Sequence, residues 1–196
     1  MIAVLISIQP KWCEKIANGE KTIEVRKSRP KLETPFKVYI YCTKGKDLLR
    51  EVSCWHPKEK IHTTNYRIIN EDYNTNKIAN GKVIGEFVCD RIDRYYYTEL
   101  IGSNSYEEGY VLGEGTTCLG YKELMEYGKG DDLYGWHISD LKIYDKPKEL
   151  NEFKRWNRTE ENVPCEHTKW LFPDCKDCKA CNLERPPQSW CKVEEL

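Results

Sequence analysis

Residues 3 to 8, Ala-Val-Leu-Ile-Ser-Ile, form a short apolar run that predicts a buried strand. Pro10 follows at a place suited to the first turn of a helix, where its missing N–H has no partner to lose. Trp12, Cys13, Ile16 and Ala17 then recur at helical spacing, and Asn18-Gly19 supplies a left-handed stop. From Glu20 to Lys27 the pattern alternates, Ile23 and Val25 against Thr22, Glu24 and Arg26, which predicts a strand. Residues 35 to 42 predict another, with Pro35 at its edge.

Between Thr43 and Asn80 the pattern dissolves into charge, Asn and Thr, and reads as a long insertion or loop. Strand character on both faces resumes over Gly81 to Ile92, as for a central barrel strand, and residues 121 to 128 predict a short helix stopped by Gly128. Leu133 to Tyr144 holds two strand-like runs, the second ended by Pro147. Strands outnumber short helices and no βαβ rhythm appears, so the expected class is α+β, a small curved or closed sheet with peripheral helices.

Charge changes this picture locally rather than globally. With 31 Lys+Arg against 32 Asp+Glu the chain is nearly neutral, which excludes binding nucleic acid by bulk charge. Residues 1 to 50, however, hold 11 basic and 5 acidic side chains, whereas residues 101 to 150 hold 5 and 10. A basic groove on a neutral protein is one reading; intermixing of these segments in space is the other. The opening residues lack the basic flank of a signal peptide and the length of a membrane span, so a cytoplasmic protein with reduced thiols is expected.

The ten cysteines fall into two groups. Cys13, Cys42, Cys54, Cys89 and Cys118 are scattered and suit buried small apolar positions. Cys165, Cys175, Cys178, Cys181 and Cys191 are clustered, and the two-residue gaps between Cys175, Cys178 and Cys181 let tight turns aim thiolates at one tetrahedral ion. With His167, four of these six residues are expected to hold structural zinc. An iron–sulfur cluster and unliganded or disulfide-bonded cysteines are the alternatives.

Residues 19 to 26 read Gly-Glu-Lys-Thr-Ile-Glu-Val-Arg. This Gly-x-Lys-x-x-Glu-x-Arg pattern, after a strand and a Pro-initiated helix, resembles the signature of the ASCH domain, a member of the PUA-like superfamily. Residues 6 to 19 and the strands at 83–93 and 133–147 resemble the rest of that family's core, and residues 185–195 are similar to endings of phage and prophage members. The resemblance implies a PUA-like β-barrel over residues 1–150, with 43–80 as an elaboration and 151–196 as a cysteine-rich, metal-stapled extension packed on it. It also implies RNA or modified-base binding in a bacterial or phage-infected cell.

The residues give that implication a chemical form. Glu24 and Arg26 share a strand face, placing an acceptor beside a planar donor, suited to a base edge and a phosphate. Lys21 has the opposite strand parity, but an irregularity at the turn would bring it to the same cleft. Trp12, Trp136 and His137 are candidates to stack on a flat ligand. The plainer readings are an ion pair between Glu24 and Arg26 on the barrel wall, two core tryptophans and a structural histidine.

Three function classes follow. The first is a nucleotide- or RNA-binding module lined by Lys21, Glu24, Arg26 and aromatics. The second is a hydrolase, because one ASCH subgroup uses the equivalent of Lys21, with a threonine, to deacylate a modified cytidine. Here position 24 is glutamate where that subgroup has threonine, and a carboxylate beside Lys21 is expected to raise its pKa, the wrong direction for a base. Some relatives are described as ribonucleases, a role into which Lys21, His137 and Ser139 could be cast. The third is a phage–host interaction protein docking through its tail, where the proline-rich 185–190 stretch lies.

Overall fold

The protein's structure, a computed structural model, describes residues 1–72, 75–101, 106–110, 115–156 and 182–196. β1 (Ile2–Ile8) leads through α1 (Pro10–Ala17) into β2 (Ile23–Arg26). β3 (Phe36–Cys42), β4 (Leu49–His56), β5 (Ile61–Ile68) and β6 (Val83–Cys89) follow, then β7 (Ile92–Tyr95), β8 (Tyr97–Ile101) and β9 (Tyr106–Tyr110). α2 (Tyr121–Gly128), β10 (Leu133–His137), β11 (Ser139–Lys148) and β12 (Trp190–Glu194) complete the order.

The central layer is a five-stranded sheet ordered β11-β6-β3-β1-β12, in which β1 and β3 are parallel and the other neighbours antiparallel. Its middle strands are near-continuous apolar runs because both faces are covered. Val4, Ile6, Ile8, Val38 and Ile40 face a main core with Cys13 and Ile16 of α1. Ala3, Leu5, Tyr39 and Tyr41 face a second cluster closed by Phe153 and Leu183. Phe153 and Leu183, which follow β11, therefore cover a sheet face that would otherwise expose a row of apolar side chains.

A three-stranded sheet, β2-β10-β7, lies beyond the bend where β6 runs on into β7 and β10 into β11. The register of Trp136 with Ile92 continues, across an irregularity at Ser139, into that of Lys142 with Glu86, so one long antiparallel ribbon folds around the main core. Trp136 fills the corner, meeting Phe36 edge-on at 5.9 Å and Trp190 at 6.1 Å. α2 packs on the outer face of this sheet through Leu124, against Ile23, Val25 and Leu133.

The expected closed barrel is corrected to a barrel-like wrap with an open seam: among the described residues, backbone pairing does not join β2 to the β1–β12 edge. Side chains cross the seam instead. Arg26 Nη2 donates to the Ser7 carbonyl at 2.7 Å, and Trp190 Nε1 donates to Ser28 Oγ at 3.1 Å.

Two local readings also change. Residues 43–80 contain a hairpin, β4–β5, with register from Leu49 against Ile68 to His56 against Ile61. Its strands are mostly exposed or half-buried, so no apolar alternation marks them, and its base enters the core through Leu49 and Tyr66. Pro147 lies inside β11, because β11 is an edge strand and its outer side needs no N–H from that residue. The proposed ligands Cys165, His167, Cys175, Cys178 and Cys181 lie outside the described residues. Lys154 and Asn182, which flank that stretch, are bridged to each other.

Candidate functional site

The open seam is where the candidate site forms. α1 begins at Pro10 on one side of it and the free edge of β2 lies on the other, with α2 and the segment before β12 completing the walls. The cleft encloses about 680 Å³. Its floor carries Lys21, Glu24 and Arg26, and its walls carry Trp12 from α1, Glu123 and Tyr127 from α2, and Ser7, Gln188 and Ser189 from the β1–β12 edge.

The three charged floor residues are nearly inaccessible, at 2%, 5% and 8% exposure. Glu24 is the hinge of the group: its Oε1 lies 2.9 Å from Arg26 Nη2 and its Oε2 3.4 Å from Lys21 Nζ. Lys21 Nζ donates to the Thr117 carbonyl and sits 5.3 Å from the centroid of the Trp12 ring. Lys21 reaches this floor because Gly19 turns in the left-handed region at φ +74° and β2 does not begin until Ile23. Strand parity therefore does not apply to Lys21, and the three motif residues converge.

Burial pushes the Lys21 amine below the ordinary lysine range, and the Glu24 carboxylate opposes it. The expected direction of the Glu24 effect is correct, but burial outweighs it, so the net shift is downward and not upward. Two polar atoms on the floor keep unused capacity among the described residues. Arg26 Nε is buried without a hydrogen-bond partner, and Glu24 Oε2 has the Lys21 charge nearby but no aligned donor. Unsatisfied buried polar atoms are uncommon, and these two belong to residues that line the cleft.

The other predicted residues separate. Trp12 lines the cleft, half-buried, with Lys11 Nζ 4.1 Å from its ring centroid. Trp136 stands opposite Glu24 in the β2–β10 register but is fully buried in the main core, so the structure places it behind the floor with no face open to a ligand. His137 stands opposite Ile23, on the other face of the sheet, with its Nε2 2.7 Å from Asp93 Oδ2 and 3.1 Å from Arg91 Nη2. Ser139 Oγ donates to the Val88 carbonyl, and neither it nor His137 lines the cleft. Lys21, His137 and Ser139 accordingly do not share one site. Cys191 is opposite Leu5 in the β1–β12 pair and packs against the second cluster.

The walls hold residues that the sequence pattern did not single out. Tyr127 and Glu123 lie on a helix whose position in the chain was predicted, but the side of the helix turned toward the cleft depends on packing against β2. Glu123 ties that helix to α1 through Lys11 at 3.2 Å and also accepts from the Gly120 N–H at its own helix start. Gln188 and Ser189 come from the far end of the chain, and no local signal marks them.

No family model and no curated protein matches the chain. The crystal structure of ASCH from Zymomonas mobilis is similar at 14% identity and TM-score 0.45, covering 76% of this chain and 75% of that one. A tyrosine-to-phenylalanine variant of that protein is similar at 16% identity and TM-score 0.45, covering 76% and 77%. A serine-to-alanine variant is similar at 14% identity and TM-score 0.47, covering 96% and 85%. These structures carry the name of the domain that the Gly19–Arg26 motif resembles.

Proposed function

We propose that the cleft binds a nucleobase or nucleoside, free or as part of an RNA, by stacking it on Trp12 and reading its edge with the Lys21–Glu24–Arg26 floor. The observation that carries this reading is the pairing of an acceptor with unused capacity, Glu24 Oε2, and a donor without a partner, Arg26 Nε, at the bottom of a cleft with an aromatic wall. A base edge with an exocyclic amino group beside a ring acceptor complements that pair, and carboxylates accept from the cytosine amino group in this way. Bases carrying such an amino group are therefore favoured over uracil.

Calorimetry with a panel of nucleosides tests the reading. Trp12→Ala should weaken binding by about 1–3 kcal/mol, the range for one base stacked on an aromatic side chain, with little dependence on salt. Arg26→Met should reduce discrimination among bases. Equal affinity of wild type and both variants for every nucleoside in the panel would refute the assignment.

The downward shift of Lys21 favours a second reading, a hydrolase acting on an acylated base, since a lysine serves as a general base only when its pKa approaches neutrality. Incubation with acylated cytidine separates the two. Turnover lost in Lys21→Met supports the hydrolase, and binding without turnover supports the module.

A further inference from the structure

Within the cleft, positive charges already have partners: Lys11 with Glu123, and Lys21 and Arg26 with Glu24. The floor cations share Glu24 and are nearly inaccessible, so they suit the edge of a heterocycle at the bottom of the cleft and not a backbone phosphate at its rim. Just past Arg26 the situation reverses. Residues 27 to 31 read Lys-Ser-Arg-Pro-Lys, and Lys27, Arg29 and Lys31 are exposed without an acidic partner among the described residues. Together with Leu32, Glu33 and Tyr134 they line a groove of about 530 Å³.

Groove and cleft adjoin where Lys27 follows Arg26 in the chain. Tyr127 lines the cleft, Lys27 lines the groove, and Lys27 Nζ stands 5.4 Å from the centroid of the Tyr127 ring. The loop is also held in place: Pro30 is buried, and Ser28 Oγ accepts from Trp190 Nε1, whose indole packs on Trp136 in the core. Ordering three cations on one anchored loop beside a base-sized cleft is the arrangement that a single strand needs, with its base inside and its backbone outside.

We infer that the 27–31 loop is a phosphate track: a single-stranded nucleic acid with one base in the cleft lays its phosphodiester backbone along Lys27, Arg29 and Lys31. This rests on the base-binding reading of the cleft and deepens it from nucleoside to polynucleotide. The phosphodiester is common to RNA and DNA, so the track itself does not choose between them.

The test compares wild type with the Lys27→Ala/Arg29→Ala/Lys31→Ala variant and with Lys31→Glu, using labelled oligocytidylate and oligodeoxycytidylate across a salt series, and cytidine alone by calorimetry. Thermal melting checks that both variants fold. Three lost phosphate contacts should flatten the slope of log affinity against log salt by about 2, at roughly 0.7 per contact on a single strand. Between 50 and 200 mM salt the wild type should then lose about 20-fold more affinity than the triple variant. Both oligomers should show the change, and cytidine affinity should stay the same. An unchanged slope overturns the track, as does an acidic peptide that binds as tightly and with the same sensitivity to the substitutions. A flattened slope with no binding of cytidine by any form of the protein overturns the base-in-cleft reading while leaving the loop as the anion-binding surface.

Discussion

Glu24→Gln removes the one negative charge shared by two buried cations while keeping side-chain volume. Lys21 and Arg26 are 2% and 8% exposed, so the variant buries positive charge that water cannot solvate. Breaking a buried pair by removing one partner costs about 3–5 kcal/mol. For a chain of this size that lowers the melting temperature by roughly 6–20 °C, at about 2–4 °C per kcal/mol. The exposed pair Lys11–Glu123, with both side chains at 46%, is the internal control: Lys11→Ala should cost no more than about 1 kcal/mol.

The pH dependence gives the same experiment a second arm. Burial holds the folded pKa of Lys21 below the ordinary lysine value of 10.5 that the unfolded chain keeps. Between the two values the unfolded chain binds more protons than the folded one, so this residue makes stability rise with pH through that window. Glu24 is the largest influence holding the Lys21 pKa up, so its loss extends the window downward. The deficit of Glu24→Gln should therefore shrink between pH 7 and pH 9.5, and Lys21→Met should remove that recovery. Urea denaturation followed by tryptophan fluorescence at both pH values reads the effect. A cost below about 1 kcal/mol, or a deficit independent of pH, would refute the picture of a charged, buried floor.

Two further outcomes concern the thiols. Burial pushes the Cys89 thiol up to about 12 and raises that of Cys13, so mass spectrometry after iodoacetamide treatment of the native protein at pH 8 should find both unmodified and both alkylated after denaturation; modification in the native state would show that these positions open. Elemental analysis should find about one zinc per chain, held by four of Cys165, His167, Cys175, Cys178 and Cys181. Cys191→Ser should leave that content unchanged because Cys191 packs beside the second apolar cluster, and loss of the metal in this variant would place Cys191 among the ligands.

Much of the local structure was legible from spacing alone. Pro10, the Trp12–Ala17 periodicity and Asn18-Gly19 mark α1 from Pro10 to Ala17, because helix starts and stops depend on the backbone preferences of a few adjacent residues. The same holds for β1, β3 and α2, and for Glu24 and Arg26 on one face of β2. The β4–β5 hairpin was not legible, since most of its side chains are exposed or only half-buried and burial imposes no alternation there. Trp136 illustrates the limit for single residues: its neighbours in sequence do not distinguish a stacking platform from a corner of the core, and its packing against Phe36 and Trp190 does.

What the sequence determined by itself is β1, α1, β2, β3, β6, α2, the β10–β11 stretch and the Gly19–Arg26 motif, all governed by interactions over a few residues. The tertiary structure decided that the wrap stays open between β1 and β2, that Lys21 joins Glu24 and Arg26 at the resulting cleft, and that Tyr127 and Ser189 wall it. Those outcomes depend on contacts between distant segments, such as the hydrogen bond from Ser7 Oγ to the Pro187 carbonyl, 180 residues away. Local periodicity carries no record of such pairings, because they are selected by how whole elements bury one another's apolar faces.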